Sequence, residues 1–185
     1  MFTNNGLITP PWGLPTTLAS QSHLTLNLKQ NKLSGTKQLI TDLQTYIKES
    51  NEQRLMPQLN ILKADFYYQS NQTDKAETLL ISSKVMAEAI EDGQSIININ
   101  NLLAEHYLKS NNPQKALSVL EKSTPYHPVA QPYLLLKSKA NKQLNQLTKA
   151  IELATMCKLE AHDLWSNEDT QYLAELITLK KSQLD

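Results

Sequence analysis

Ala64-x2-Tyr67, Ala76 and Leu80 recur forty positions later as Ala104-x2-Tyr107, Ala116 and Leu120. Small residues at such offsets let two antiparallel helices approach closely, while the Tyr and Leu fill the space between neighbouring pairs. The pattern predicts stacked helical hairpins, an architecture that offers surfaces to other proteins rather than gathering reactive groups. Binding is the mode of action this implies.

At 185 residues the chain is one domain's worth and long enough to bury a substantial core. Lys+Arg and Asp+Glu stand at 18 each, so no overall field draws in nucleic acid or an anionic membrane. The expected partner is a protein or peptide. Cys157 is the only cysteine, which excludes an intrachain disulfide framework and suits a reducing, cytoplasmic setting. Before Lys29 there is no Lys or Arg, and Pro10, Pro11 and Pro15 interrupt the early apolar residues, a pattern unlike a secretory signal or a membrane span. None of the four glycines falls in a phosphate-cradling motif, so no cofactor is expected.

Residues 1–19, with three prolines, two glycines and Trp12, read as an irregular arm or linker. Residues 20–185 read as the helical domain, with helices expected near 22–33, 36–50, 57–71, 74–92, 95–110, 113–123, 132–144, 146–162 and 168–183. In the first of these, Leu24, Leu26 and Leu28 alternate with polar residues and fit a short strand as well as a helix, although Gly35 after them favours a helical hairpin. Asn112-Pro113 places a capping side chain before a proline at the first helical position. Thr73-Asp74, Ser95 and Asn145 read as further starts, Ser166-x2-Asp169 as a capping box, and Gly35 and Gly93 as stops.

With Leu103, Ala104, Tyr107, Ala116, Leu120 and Pro128 in order, the central unit resembles a tetratricopeptide repeat (TPR). Ala150 lies 34 residues after Ala116, the period of that family, and Leu24, Leu39 and Ile40 lie 40 before Ala64, Leu79 and Leu80. The resemblance implies an all-α fold: a right-handed stack of antiparallel helical hairpins, a TPR-like α-solenoid, with units near 22–56, 57–94, 97–128 and 131–163 and a capping helix near 167–184. The 40-residue spacing is similar to the longer-helix variety found in adaptor proteins and in sensor regions of bacterial signalling regulators. Asn60 and Asn100 depart from the pattern, standing where the family has a large aromatic. The implied function is a non-enzymatic protein-protein interaction module or scaffold. The alternative is a regulatory or sensor region of a larger bacterial signalling or transcription-regulatory protein.

In this family the first helix of each unit lines the concave face. Helical spacing then selects Ile61, Asp65, Tyr68 and Gln69, and forty residues on Asn101, Glu105, Leu108 and Lys109. The 34-residue offset adds Leu135, Lys139 and Lys142. The family's peptide-carboxylate clamp uses Lys and Asn at lining positions, whereas this chain has Asp65 and Glu105, which suit a basic, partly apolar segment.

His23, His106, His127 and His162 form neither HExxH nor an i, i+4 pair, so no metal site is expected. Cys157 corresponds to Ser123 and Ser83 of earlier units and reads as a small residue at a helix contact. Trp165 reads as the seal of the stack's end, and Leu173, Leu176 and Ile177 as the inward face of the last helix. His162, Asp163 and Ser166 superficially resemble a triad but lie too close together at a helix end to converge for acyl transfer. No catalytic residue is expected.

Overall fold

A computed structural model describes residues 13–30, 32–126 and 130–183. Every regular element among them is helical: α1 (Gly13–Lys29), α2 (Thr36–Glu49), α3 (Met56–Gln69), α4 (Thr73–Ala89), α5 (Gly93–Lys109), α6 (Pro113–Glu121), α7 (Ala130–Gln143), α8 (Leu147–Ala161) and α9 (Asn167–Lys181). Single 3₁₀ turns occupy Gln53–Leu55, Thr124–Tyr126 and His162–Leu164. No helix among the described residues is long and apolar enough to cross a membrane.

α1 resolves the choice between strand and helix. Leu24 and Leu28 are buried while Leu26 is 51% exposed, the i, i+4 rhythm of a helix facing a core on one side. The helix also begins earlier than expected: residues 13–19, read from sequence as part of an irregular arm, form its first turns. Pro15 is compatible with this because the N–H it lacks belongs to a first turn, where no helical acceptor exists. The rest of the arm, including Trp12, lies outside the described residues.

The chain divides into two compact units after Ser83, within α4. In the first, α1, α2 and α3 pack pairwise around Leu24, Leu28, Ile40, Leu43, Ile47 and Leu59. In the second, α5, α6 and α7 pack pairwise, α7 packs on α8 and α8 on α9.

One turn recurs between helices. Asn51, Asn71, Glu91, Asn111 and Asn145 all take a left-handed conformation with φ between 55° and 60°. In each case the next N–H returns to a carbonyl five positions back: Glu52 to Ile47, Gln72 to Tyr67, Asp92 to Ala87, Asn112 to Tyr107 and Gln146 to Asn141, at 2.7–3.1 Å. Together with the bond from the left-handed residue itself, such as Asn71 N–H to Tyr68 O at 3.1 Å, this is the Schellman exit, which satisfies carbonyls the helix end would orphan. The stop expected at Gly93 is therefore made two residues earlier, by Glu91. Gly93 instead opens α5, where a Cβ would stand 2.9 Å from the Tyr126 ring. Asn145, expected as a start, is likewise an exit residue, and α8 begins at Leu147. Ser95 is inside α5, whose cap is Asp92, its Oδ1 accepting from Ser95 N–H at 3.0 Å. The capping box at Ser166 and Asp169 is present with both reciprocal bonds.

The recurring small residues have no solvent exposure: Ala64 and Ala76 in the first unit, and Ala104, Ala116, Ala150 and Ala154 in the second. Ser83, Ser123 and Cys157 are equally sealed. Replacing Ala76 or Ala116 by Leu should overpack its contact and cost ~1–3 kcal/mol, read from denaturant midpoints, while Gln69→Leu costs less than either. Equal losses at all three positions would refute close packing at the alanines. Glu91 stands where a Cβ is disfavoured, so Glu91→Gly should raise stability by about 1 kcal/mol; an unchanged or lowered midpoint would contradict the left-handed assignment.

Candidate functional site

The eleven residues selected from sequence fall on three helices, and their surroundings differ. On α3, in the first unit, Ile61, Asp65, Tyr68 and Gln69 are all half-buried. One turn apart on that helix, Gln69 Nε2 donates to Asp65 Oδ1 at 3.0 Å, and Gln69 Oε1 is buried without a hydrogen-bond partner among the described residues. The α3 carboxylate is thus held in place by its own helix.

In the second unit, α5 presents a mixture. Glu105 and Lys109 are exposed, but Asn101 and Leu108 are buried, at 7% and 8% exposure. Leu108 belongs to the core with Ala104, Leu120 and Tyr133. α6 and α7 both pack on α5, so its buried arc is wide and takes in one edge of the stripe that helical spacing alone assigns to a single outward face.

Asn100 is 1% exposed and donates through Nδ2 to Ser123 Oγ at 2.9 Å. Lys84 Nζ reaches its Oδ1 at 3.4 Å. Burial lowers the Lys84 pKa below the usual lysine value, with Glu88 opposing the fall and Lys122 adding to it. Lys84, Asn100 and Ser123 thus form a polar chain at a buried helix contact.

On α7, Leu135 is core, 6% exposed, whereas Lys139 is exposed and Lys142 half-buried. Both lysines already have an occupant. Tyr172 of α9 lays its ring 5.9 Å from Lys139 Nζ and 5.5 Å from Lys142 Nζ, and Lys142 Nζ donates to Glu175 Oε1 at 2.7 Å. Tyr172 Oη and Ser138 Oγ are 3.0 Å apart, while Ser138 Oγ also donates to the Ala150 carbonyl at 2.7 Å. Gln131 Nε2 adds a bond to Asp169 Oδ2 at 2.9 Å. Leu176 is fully buried against Leu147, Ala150 and Ala154. Ile177, expected to face inward, is 41% exposed, because the buried arc of α9 runs through Asp169, Tyr172, Leu173 and Leu176. Trp165 is half-buried over the α7–α8 core, with Nε1 donating to Thr170 Oγ1 at 2.8 Å.

Tyr172, Glu175 and Ser138 were not among the residues selected from sequence. Their one local signal is the i, i+3 spacing of Tyr172 and Glu175 on a helix; the pairing with α7 bridges more than thirty positions and leaves no local mark. A recess of about 420 Å³ in the first unit is lined by residues including Lys63, Tyr67 and Leu79, and one of about 490 Å³ in the second by residues including Thr148, Lys149 and Lys180. Neither contains a candidate residue. No group of three or more His, Cys, Asp or Glu among the described residues stands close enough to hold a metal ion. Cys157 is sealed in the core, and burial, helped by Asp169, pushes its thiol pKa up, away from the reactive thiolate.

Burial pushes the Tyr172 phenol up to about 12, with Glu175 adding to the rise and the Ser138 hydrogen bond opposing it. The folded protein therefore holds this proton more tightly than the unfolded chain, whose tyrosines ionise near ~10. The stabilisation is fully present below that value and is lost as pH rises through about 12. Between these limits Tyr172→Phe should lose less stability with rising pH than wild type, read from thermal midpoints; identical alkaline losses would remove Tyr172 from this role.

Compared with protein-family profiles, with curated proteins and with solved structures, the chain gives no significant match to any.

Proposed function

We propose that this chain is a non-enzymatic protein-protein interaction module, a TPR-like right-handed stack of helical hairpins that holds a partner segment against the first helix of each unit. The observation that carries this reading is the state of α7. Two of its candidate residues, Lys139 and Lys142, lie against a helix, with one aromatic ring centred 5.9 and 5.5 Å from their ammonium groups and a carboxylate bonded to one of them. A helix seated over two residues of the candidate face supports reading that face as a holder of helical segments.

The framework supports the same reading. Repeat-equivalent alanines are sealed alike in both units, while a half-buried Gln69 in one stands where the other has an exposed Lys109. A constant interior with a variable face is the division a binding scaffold needs, because rigidity lowers the entropy cost of capture while the face sets specificity. Asp65 and Glu105 favour a basic, partly apolar partner, and the lone buried cysteine suits work in a reducing compartment such as the cytoplasm.

The test is an affinity pull-down from source lysate that compares wild type with the Asp65→Lys, Glu105→Lys double variant. Loss of the captured partner at unchanged helix content supports the assignment. Full capture by the double variant places the binding surface elsewhere.

A further inference from the structure

We propose that α9 is a built-in competitor: it occupies, on α7 and α8, the seat of a partner helix that carries an aromatic residue and a carboxylate three positions apart, and it leaves that seat as one unit. The inference rests on the reading of α7 as a partner-facing helix and adds the chemistry of the ligand that this part of the surface takes.

The seat is defined by what now fills it. Lys139 and Lys142 both reach the Tyr172 ring, Lys142 bonds Glu175, Ser138 Oγ meets the phenol, and Leu176 packs with Ala150, Ala154 and Leu147. Cations over a ring face and a direct ammonium–carboxylate bond select an acidic, aromatic helix and reject a basic one. This preference is opposite to the one that Asp65 and Glu105 suggest for α3 and α5, so the scaffold's faces are not uniform in charge.

α9 is built to come away. Of its fifteen residues only Asp169 and Leu176 are buried, whereas α8, also of fifteen, buries six. Ile177 and Leu179 are 41% and 38% exposed, so the helix is fixed by one deep apolar anchor and a few polar ties. Its ends are satisfied locally, by the Ser166–Asp169 capping box and by Lys180 and Lys181 in the last turn. The helix therefore keeps its own caps when its tertiary contacts open. Segments with few buried apolar contacts open at lower free energy than the core. While α9 is seated, a competing helix sees an affinity reduced by the fraction of chains that are open.

The test uses the full chain and a fluorescein-labelled synthetic peptide of residues 166–183 as the probe. Wild type should capture the peptide poorly. Tyr172→Ala with Leu176→Ala, which loosens α9 in cis, should capture it at least about tenfold more tightly, and adding Lys142→Glu should abolish that gain. Hydrogen exchange on wild type should show the α9 amides exchanging together, well ahead of those of α7 and α8. Failure of the loosened chain to capture the peptide, equal capture by wild type, or capture indifferent to Lys142→Glu overturns the proposal. So does global unfolding of the loosened chain, or exchange of α9 only with the core, since either makes α9 part of one cooperative unit. Neither Asp65, Glu105 nor an outside partner enters these measurements, so failure here is distinguishable from failure of the interaction-module reading.

Discussion

Helix length is the constraint on which the rest of this architecture depends, and the left-handed exit turn sets it. The turn falls at residues 51, 71, 91 and 111, so helices end at a constant stride of twenty. Two strides make the forty-residue recurrence that links Ala64 to Ala104 and Ala76 to Ala116. The next exit is at Asn145, 34 residues after Asn111, the same interval that separates Ala150 from Ala116. The shortening has a visible origin in α6, which runs only from Pro113 to Glu121 where α4 runs from Thr73 to Ala89. Because turn and core intervals change together, the small residues return to helix contacts even where the period shortens. Had only the turn moved, alanines would face solvent and larger side chains would be forced into close crossings.

This coupling explains what could be read from the chain and what could not. Helix existence was legible because amphipathic spacing, Pro113 at a helix start and the Ser166 box are local signals carried within a turn or two, although the Asn112 side chain makes no capping bond and turns to the Ser110 carbonyl instead. Exit turns were less so: Asn and Glu tolerate the left-handed region without advertising it as glycine does, so Asn145 reads as a start and Gly93 as a stop when their roles are nearly the reverse. Solvent exposure along a helix was the least legible. Asn101 and Leu108 share a stripe with Glu105 and Lys109, but α6 and α7 together bury a wider arc of α5 than one packing partner would. The fate of Lys139 and Lys142 depended on Tyr172 and Glu175, more than thirty positions away, and no periodicity reports a partner at that distance.

The buried asparagine of α5 shows how the second unit holds its register. An aromatic ring at this position fills volume without direction, whereas the Asn100 amide must find its partners. Here Nδ2 meets Ser123 Oγ and Oδ1 meets Lys84 Nζ. Any slip of α5 against α6 would leave a buried amide unsatisfied at a cost of roughly 1–3 kcal/mol. The network contributes little net stability, since Lys84 loses hydration to join it, but it penalises the alternatives. Close packing of alanines is permissive about register because one small residue resembles the next along the chain. A directional amide supplies the discrimination that the alanines lack.

The same contrast between permissive and directional contacts governs the surface. α9 gains affinity for its seat from Leu176 and the body of the Tyr172 ring, contacts that most amphipathic helices could imitate. Its charged contacts are partly exposed and screened by salt, so they add little energy. What they do is exclude: a helix with lysine at the Glu175 position would bring its ammonium group against that of Lys142. Specificity on this face thus comes from the penalty placed on wrong helices more than from the reward given to the right one. A penalty of that kind survives evolution of the apolar anchor, because it depends only on the sign of a lysine held by α7.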